Sequence, residues 1–191
     1  MPKRCTWAAG GNELLKHYHD REWGTPCHSD QKLFELLSLE IFQAGLSWQT
    51  VLNKRQALDD ALANFDFQIL SSFEGQLPKL LTNQAIIRNQ RKLLAIIHNA
   101  RIVSDMVMRG QSFDAYLWQF VHYQPIQHHY QSHLQIPKTN QLAIQISQTM
   151  KSAGFRFTGP VVSYSFLQAA GIINDHETTC FRYSKLSQPK K

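Results

Sequence analysis

The segment L-F-E-L-L-S-L-E-I-F-Q-A-G-L-S-W, residues 33–48, sets a carboxylate among apolar side chains. Leu33, Leu36, Leu37 and Ala44 recur at helical spacing, and Glu40 falls on their face. A carboxylate aimed into an apolar core is costly unless it is paired or used. From these residues alone, Glu40 either pairs with an arginine, rotates to the surface, or serves a ligand.

A second set of residues has metal chemistry. In N-D-H-E-T-T-C, His176 and Cys180 lie four residues apart, a spacing that lets one helical turn present both to one ion. Cys5 and His19 form a second pair near the other end of the chain. A Cys2His2 set suits tetrahedral zinc with no open position, and would tie the two ends together. His17, Cys27 and His28 are rival ligands, ordinary thiols and surface histidines are the plainer alternative, and Glu177 is a conceivable base for a catalytic ion.

A third stretch, M-K-S-A-G-F-R-F-T-G-P-V-V-S-Y-S-F-L-Q-A-A-G, reads as two helices joined by a turn with Gly154 and Gly159 at its ends. Proline suits the first turn of the second helix. Free N–H groups there can hold a DNA phosphate without reading a base. A plain helix connection has the same signature.

The elements that must position these groups are helical. Periodicity predicts helices over 31–44, over 48–65 with Ser47 as cap, short ones over 66–73 and 77–82, a long one over 88–109, and others over 113–121, 139–153 and 160–171. Residues 122–138, rich in His, Gln and Pro, read as a long connection. No alternating pattern is long enough for a sheet, so the fold class is all-α. One domain over residues 1–183 is expected, as one body or as two helical lobes around a cleft, with a disordered tail over 184–191.

Composition narrows the function classes. With 191 residues, 43% hydrophobic and 18% charged, the chain is globular in type. No apolar run approaches the roughly 20 residues that span a bilayer, so no membrane partner is expected. The opening M-P-K-R-C-T-W has no signal-peptide pattern, so a cytoplasmic protein is expected. Three cysteines in such a chain argue against a disulfide framework. The net charge of +6 favours polyanions, nucleic acid among them.

Taken in order, R-C-T-W, Y-H-D-R-E-W-G, L-E-I-F-Q-A-G-L-S-W, I-I-R-N-Q-R-K-L, G-F-R-F-T-G-P-V-V-S-Y-S-F-L-Q-A-A-G and N-D-H-E-T-T-C give a chain that resembles the 3-methyladenine DNA glycosylase I family over residues 4–180. The resemblance implies a helix-hairpin-helix DNA glycosylase fold and hydrolysis of the N-glycosidic bond of 3-methyladenine in alkylated double-stranded DNA, with free 3-methyladenine as product. It implies one structural zinc on Cys5, His19, His176 and Cys180. It places Glu40 in the base pocket as the catalytic carboxylate, with Trp7, Tyr18, Trp23, Gln43 and Trp48 as substrate-binding neighbours. Those aromatics are otherwise ordinary core residues. Gly45 and Leu46 would face the gap left by an extruded nucleotide, and Arg88, Gly154 and Gly159 would meet the DNA backbone. A monofunctional enzyme without lyase activity, acting as a monomer, is expected. The hairpin interior F-R-F-T offers no amine, and Lys151 has no evident neighbour to lower its pKa. A catalytically impaired, zinc-stapled DNA-binding paralogue is the alternative. Its basis is Leu15, where the family commonly carries an aromatic that would wall the pocket. The Cys5–His19 segment is also one residue longer than usual, and is expected to bulge without moving the metal. Asp175 beside His176 is expected to support that ligand and not to act in catalysis.

Overall fold

A computed structural model describes residues 2–187. Eleven helices account for most of the chain: α1 Thr6–Ala9, α2 Glu13–Arg21, α3 Asp30–Gln43, α4 Trp48–Ala61, α5 Phe67–Leu70, α6 Leu77–Thr82, α7 Gln90–Met108, α8 Phe113–Trp118, α9 Gln141–Ser152, α10 Pro160–Ala169 and α11 Phe181–Ser187. Side-chain caps fix several starts. Ser29, Ser47, Asn89 and Asn140 each accept a backbone N–H from the first turn that follows.

Helix α3 is the axis of the molecule. It packs on α4, α7, α8 and α10, and an unbroken run from Leu36 to Phe42 is buried. Contact on several sides explains why its face is wider than one apolar stripe. One continuous core joins residues from Cys5 to Cys180.

Helix ends differ from the periodicity in three places. The predicted helix over 48–65 stops at Ala61, because Ala63, Asn64 and Phe65 all take positive φ and form a left-handed turn. Such a turn has no apolar period and is invisible to pattern reading. Helices α1 and α2 were not predicted; α2 reads E-L-L-K-H-Y-H-D-R, and its few apolar residues leave little periodicity. Residues 184–187 of the predicted tail continue α11, while 188–191 lie outside the described residues.

The expectation of no strands also needs correction. Ile126–Gln127 (β1) and Ile173–Asn174 (β2) form a parallel ladder, two residues long in each strand. Two residues are too few to show alternation. This ladder moors the long connection to the C-terminal segment: His128 N donates to Asn174 O at 3.2 Å and Thr178 N to Tyr130 O at 2.8 Å.

Candidate active site and metal centre

Glu40 occupies the last full turn of α3 and is 5% exposed. Its carboxylate faces a cavity of about 310 Å³ whose walls include Trp7, Tyr18, Trp23, Gln43 and Trp48. All six residues singled out for base binding in the sequence therefore line one space. Helices α1 and α2 supply Trp7 and Tyr18, Trp23 follows α2 directly, and Trp48 opens α4. Tyr18 and Trp48 meet with ring centroids 4.9 Å apart, and Trp7 and Trp23 with centroids 5.1 Å apart in an edge-on pair.

Three polar groups of this cavity have no hydrogen-bond partner among the described residues. Burial alone pushes Glu40 up to about 8, with no hydrogen bond or charge among the described residues opposing it. The Tyr18 hydroxyl and the Trp48 indole nitrogen are buried and bond to nothing. Burial, and after it the Glu40 carboxylate, hold the Tyr18 phenol above its usual pKa, so it stays a donor. Buried polar groups in native proteins nearly always find a partner. Three unmatched ones around a single cavity mark a place shaped for a polar ligand.

The sequence reading missed the far wall. His133, Ile136, Pro137 and Lys138 of the long connection, with Ser165 and Gln168 of α10, complete the lining. Nothing in the local pattern of residues 122–138 announces this, because the β1–β2 ladder that brings them in is a long-range contact.

Next to the aromatic wall, Cys5, His19, His176 and Cys180 are all buried, and their ligand atoms lie within 4.8 Å of one another. Cys5 Sγ is 3.4 Å from His176 Nδ1, and Cys180 Sγ is 3.5 Å from His19 Nε2 and 3.7 Å from His176 Nδ1. A tetrahedral zinc with thiolate and imidazole ligands has sulfur–nitrogen edges of roughly 3.5 Å. The outer atoms are also spoken for. His19 Nδ1 bonds to Asp20 Oδ1 at 2.8 Å and His176 Nε2 to Trp23 O at 3.1 Å, so each ring turns its other nitrogen inward, where His19 Nε2 also accepts from Cys5 N at 3.3 Å. Glu177 N and Arg182 N donate to the sulfurs of Cys5 and Cys180. Hydrogen bonding to Cys5, then to the histidines, depresses the Cys180 thiol while the same contact raises Cys5. A cation among them would let both ionise. Gly24 approaches closely here: an added Cβ would sit 2.9 Å from His176 Nε2.

The rival ligands are elsewhere. His17 is exposed, Cys27 Sγ lies toward Ser29 O, and His28 pairs with Asp114 at 2.9 Å. His176 and Cys180 are brought together by a tight turn and not by the helical turn their spacing suggested; Cys180 N donates to Glu177 O at 2.7 Å. Glu177 is held by hydrogen bonds from the segments around it. Burial works against its charge, but hydrogen bonds from Thr6 and His133 outweigh it and keep the carboxyl below its usual range.

Residues 7–183 match the methyladenine glycosylase family. The chain belongs to that family. It is 38% identical over 182 residues to DNA-3-methyladenine glycosylase 1 of Escherichia coli, covering 95% of this chain and 97% of that one. A crystal structure of 3-methyladenine DNA glycosylase I superposes with a TM-score of 0.90 at 40% identity, covering 94% of this chain and 98% of the other. A variant of 3-methyladenine DNA glycosylase I in complex with 3-methyladenine superposes at 0.89 and 32% identity, over 98% of both chains.

Within this methyladenine glycosylase, the two departures read from the sequence both fall in the α1–α2 region. Leu15 packs against the core and is not among the residues that line the cavity. The Cys5–His19 segment runs through α1, the turn at Gly10 and Gly11, and α2, and Cys5 and His19 at its ends meet in the buried Cys/His cluster. Asp175 does not touch His176. Its carboxylate accepts from Tyr164 at 2.6 Å and Gln168 at 2.7 Å and bonds to His128 Nδ1 at 2.6 Å, tying α10 to the long connection.

The residues picked for DNA contact fall in two turns and at the start of α7. Gly45 has φ +80° and open space where a Cβ would stand, and Leu46 beside it is 39% exposed. Arg88 is exposed just before α7. In the hairpin, Gly154 takes φ +94° after α9, and Gly159 is the N-terminal flank of α10, open around its Cα. The Gln43 amide donates to Leu46 O at 2.9 Å, so part of its hydrogen bonding goes to the turn and not to Glu40.

Proposed function

We propose that this chain is a monofunctional DNA repair glycosylase that hydrolyses the N-glycosidic bond of 3-methyladenine in alkylated duplex DNA. The observation that carries the reading is the buried, unpartnered Glu40 carboxylate in an aromatic-walled cavity. A base inside a duplex is out of reach, so the damaged nucleotide is extruded into that cavity. Methylation at N3 makes the purine cationic. A cation offers the carboxylate the counter-charge that burial has withheld, and its exocyclic amine donates a hydrogen bond to Glu40. Trp7, Tyr18, Trp23 and Trp48 add ring faces and edges that favour an electron-poor base. Neutral adenine gains neither effect, which is the basis of selection.

The cationic base is already a good leaving group. When the bond from C1′ to the base breaks, its electron pair goes to the ring, and water adds to the oxocarbenium-like sugar with loss of a proton. Glu40 binds and discriminates through this step. Nucleophilic lysines are typically desolvated, whereas Lys138 at the cavity mouth and Lys151 by the hairpin are both exposed, which supports hydrolysis without a lyase step. Cys5, His19, His176 and Cys180 hold one structural zinc, whose chemistry is to cross-link the chain ends under the aromatic wall. The hairpin of α9 and α10 offers its turn and the α10 N-terminus to backbone phosphate, with Arg88 nearby adding charge.

The test is incubation with methylated duplex DNA and analysis of released bases. Wild-type chain releases 3-methyladenine, and Glu40→Gln does not. Undiminished release by folded Glu40→Gln refutes the pocket role.

A further inference from the structure

Lys92 stands on the buried side of α7 among Leu93, Ile96 and Ile97, and is itself 6% exposed. Its ammonium meets no carboxylate among the described residues. It donates to the carbonyl oxygens of Phe42 at 2.7 Å and Ala44 at 2.5 Å. Those carbonyls close α3, where the last turn lacks intrahelical partners and favours a cation. Water or a simple glycine cap commonly serves such ends. A buried lysine is an expensive substitute, because its desolvation must be offset by those two bonds.

The turn it holds is Ala44–Gly45–Leu46, and that turn projects. Leu46 is half-exposed and Gly45 has empty space around it. Two bonds fix its two sides: Lys92 on the Ala44 carbonyl and Gln43 on the Leu46 carbonyl. The same α7 grips the other candidate DNA-contact turn. Asn99 donates to Arg156 O at 3.0 Å and accepts from Arg156 N at 2.8 Å, inside the α9–α10 hairpin. Lys92 and Asn99 are seven residues apart, about 10 Å along the helix. One rigid element thus registers the Leu46 turn against the hairpin.

We propose that Lys92 is a positioning residue for duplex engagement: it sets the height at which Leu46 enters the gap left by an extruded nucleotide. The proposal rests on the glycosylase reading given above. An apolar wedge is needed only where a stack must be kept open, which distinguishes duplex from single-stranded substrate.

The experiment compares release of 3-methyladenine from a methylated duplex and from the same strand alone, for wild type, Lys92→Met, Leu46→Ala and the double variant. Lys92→Met is expected to lower kcat/KM on duplex about tenfold, the scale of one lost charged hydrogen-bonding contact, and to leave single-strand release within about twofold. The double variant should be no worse on duplex than Leu46→Ala, and Lys92→Arg should recover most of the loss. Lys92→Gln, which keeps a donor, replaces the methionine variant if that chain does not fold. Equal losses on both substrates, or effects of Lys92→Met and Leu46→Ala that simply multiply, would show that Lys92 only stabilises the fold. A wild-type chain that releases base from neither substrate sinks the glycosylase reading, and this inference with it.

Discussion

In the cavity, the Glu40 carboxylate, the Tyr18 hydroxyl and the Trp48 indole N–H are buried with no protein partner. In the cluster behind it, the outer nitrogens of His19 and His176 and the sulfurs of Cys5 and Cys180 all have hydrogen-bond partners. The two regions share a wall: Trp23 lies edge-on to His176 with centroids 4.5 Å apart, and Trp7 to His19 at 5.3 Å. Neighbouring sites with equally buried polar groups therefore follow opposite rules. A satisfied site suits a structural role, and an unsatisfied one suits a ligand that arrives and leaves.

This contrast is broken most forcefully at the metal ligands. Cys180→Ser should lower stability by on the order of 5 kcal/mol, since zinc binding is folding free energy for such a site. Elemental analysis should give one zinc per wild-type chain and well under one for the variant, with a thermal melt reporting the lost stability. A metal-free wild type with an unchanged melt would end the structural-zinc reading.

Glu40→Gln should do the reverse. Excision of 3-methyladenine should fall by about a hundredfold, a loss typical of one removed electrostatic stabiliser, while the chain stays folded. Its stability should even rise with pH relative to wild type. From about 4.5 to about 8 the folded wild type holds a proton on Glu40 that the unfolded chain has released. Wild-type stability therefore falls across that window and levels off above it. Glutamine does not titrate, so the gap in melting temperature should open between those limits, by an amount worth on the order of 5 kcal/mol. A gap independent of pH would mean that Glu40 is not buried as described.

Tyr18→Phe sharpens the comparison with the smallest change. Removing a hydroxyl that has no partner should leave the melt unchanged or slightly raised, because no native hydrogen bond is lost. Binding of free 3-methyladenine should weaken by about 1 kcal/mol, read by calorimetry. A destabilised variant with normal binding would place the hydroxyl in structure.

Legibility from sequence followed the range of the contact. Glu40 was readable because helical period alone sets it among Leu33, Leu36 and Leu37. The four residues of the Cys/His cluster were readable because few residue types ligate soft cations, although their grouping needed the family resemblance to exclude His17, Cys27 and His28. The left-handed turn at 63–65 and the two-residue ladder leave no periodic trace. Ile136, Pro137 and Lys138 reach the cavity through that ladder, so nothing near them in the chain revealed it. Asp175 was misjudged for a related reason: adjacency to His176 in sequence points its carboxylate away, toward Tyr164, Gln168 and His128.

The joining of the chain ends has a consequence for synthesis. Lys3 O accepts from Phe181 N, and Cys5 and Cys180 meet in one cluster beneath Trp7 and Trp23. A nascent chain that has emerged only to α10 holds Glu40 and Tyr18 but cannot yet anchor the tryptophan floor. Support for that floor therefore waits until the segment carrying Cys180 has joined the fold.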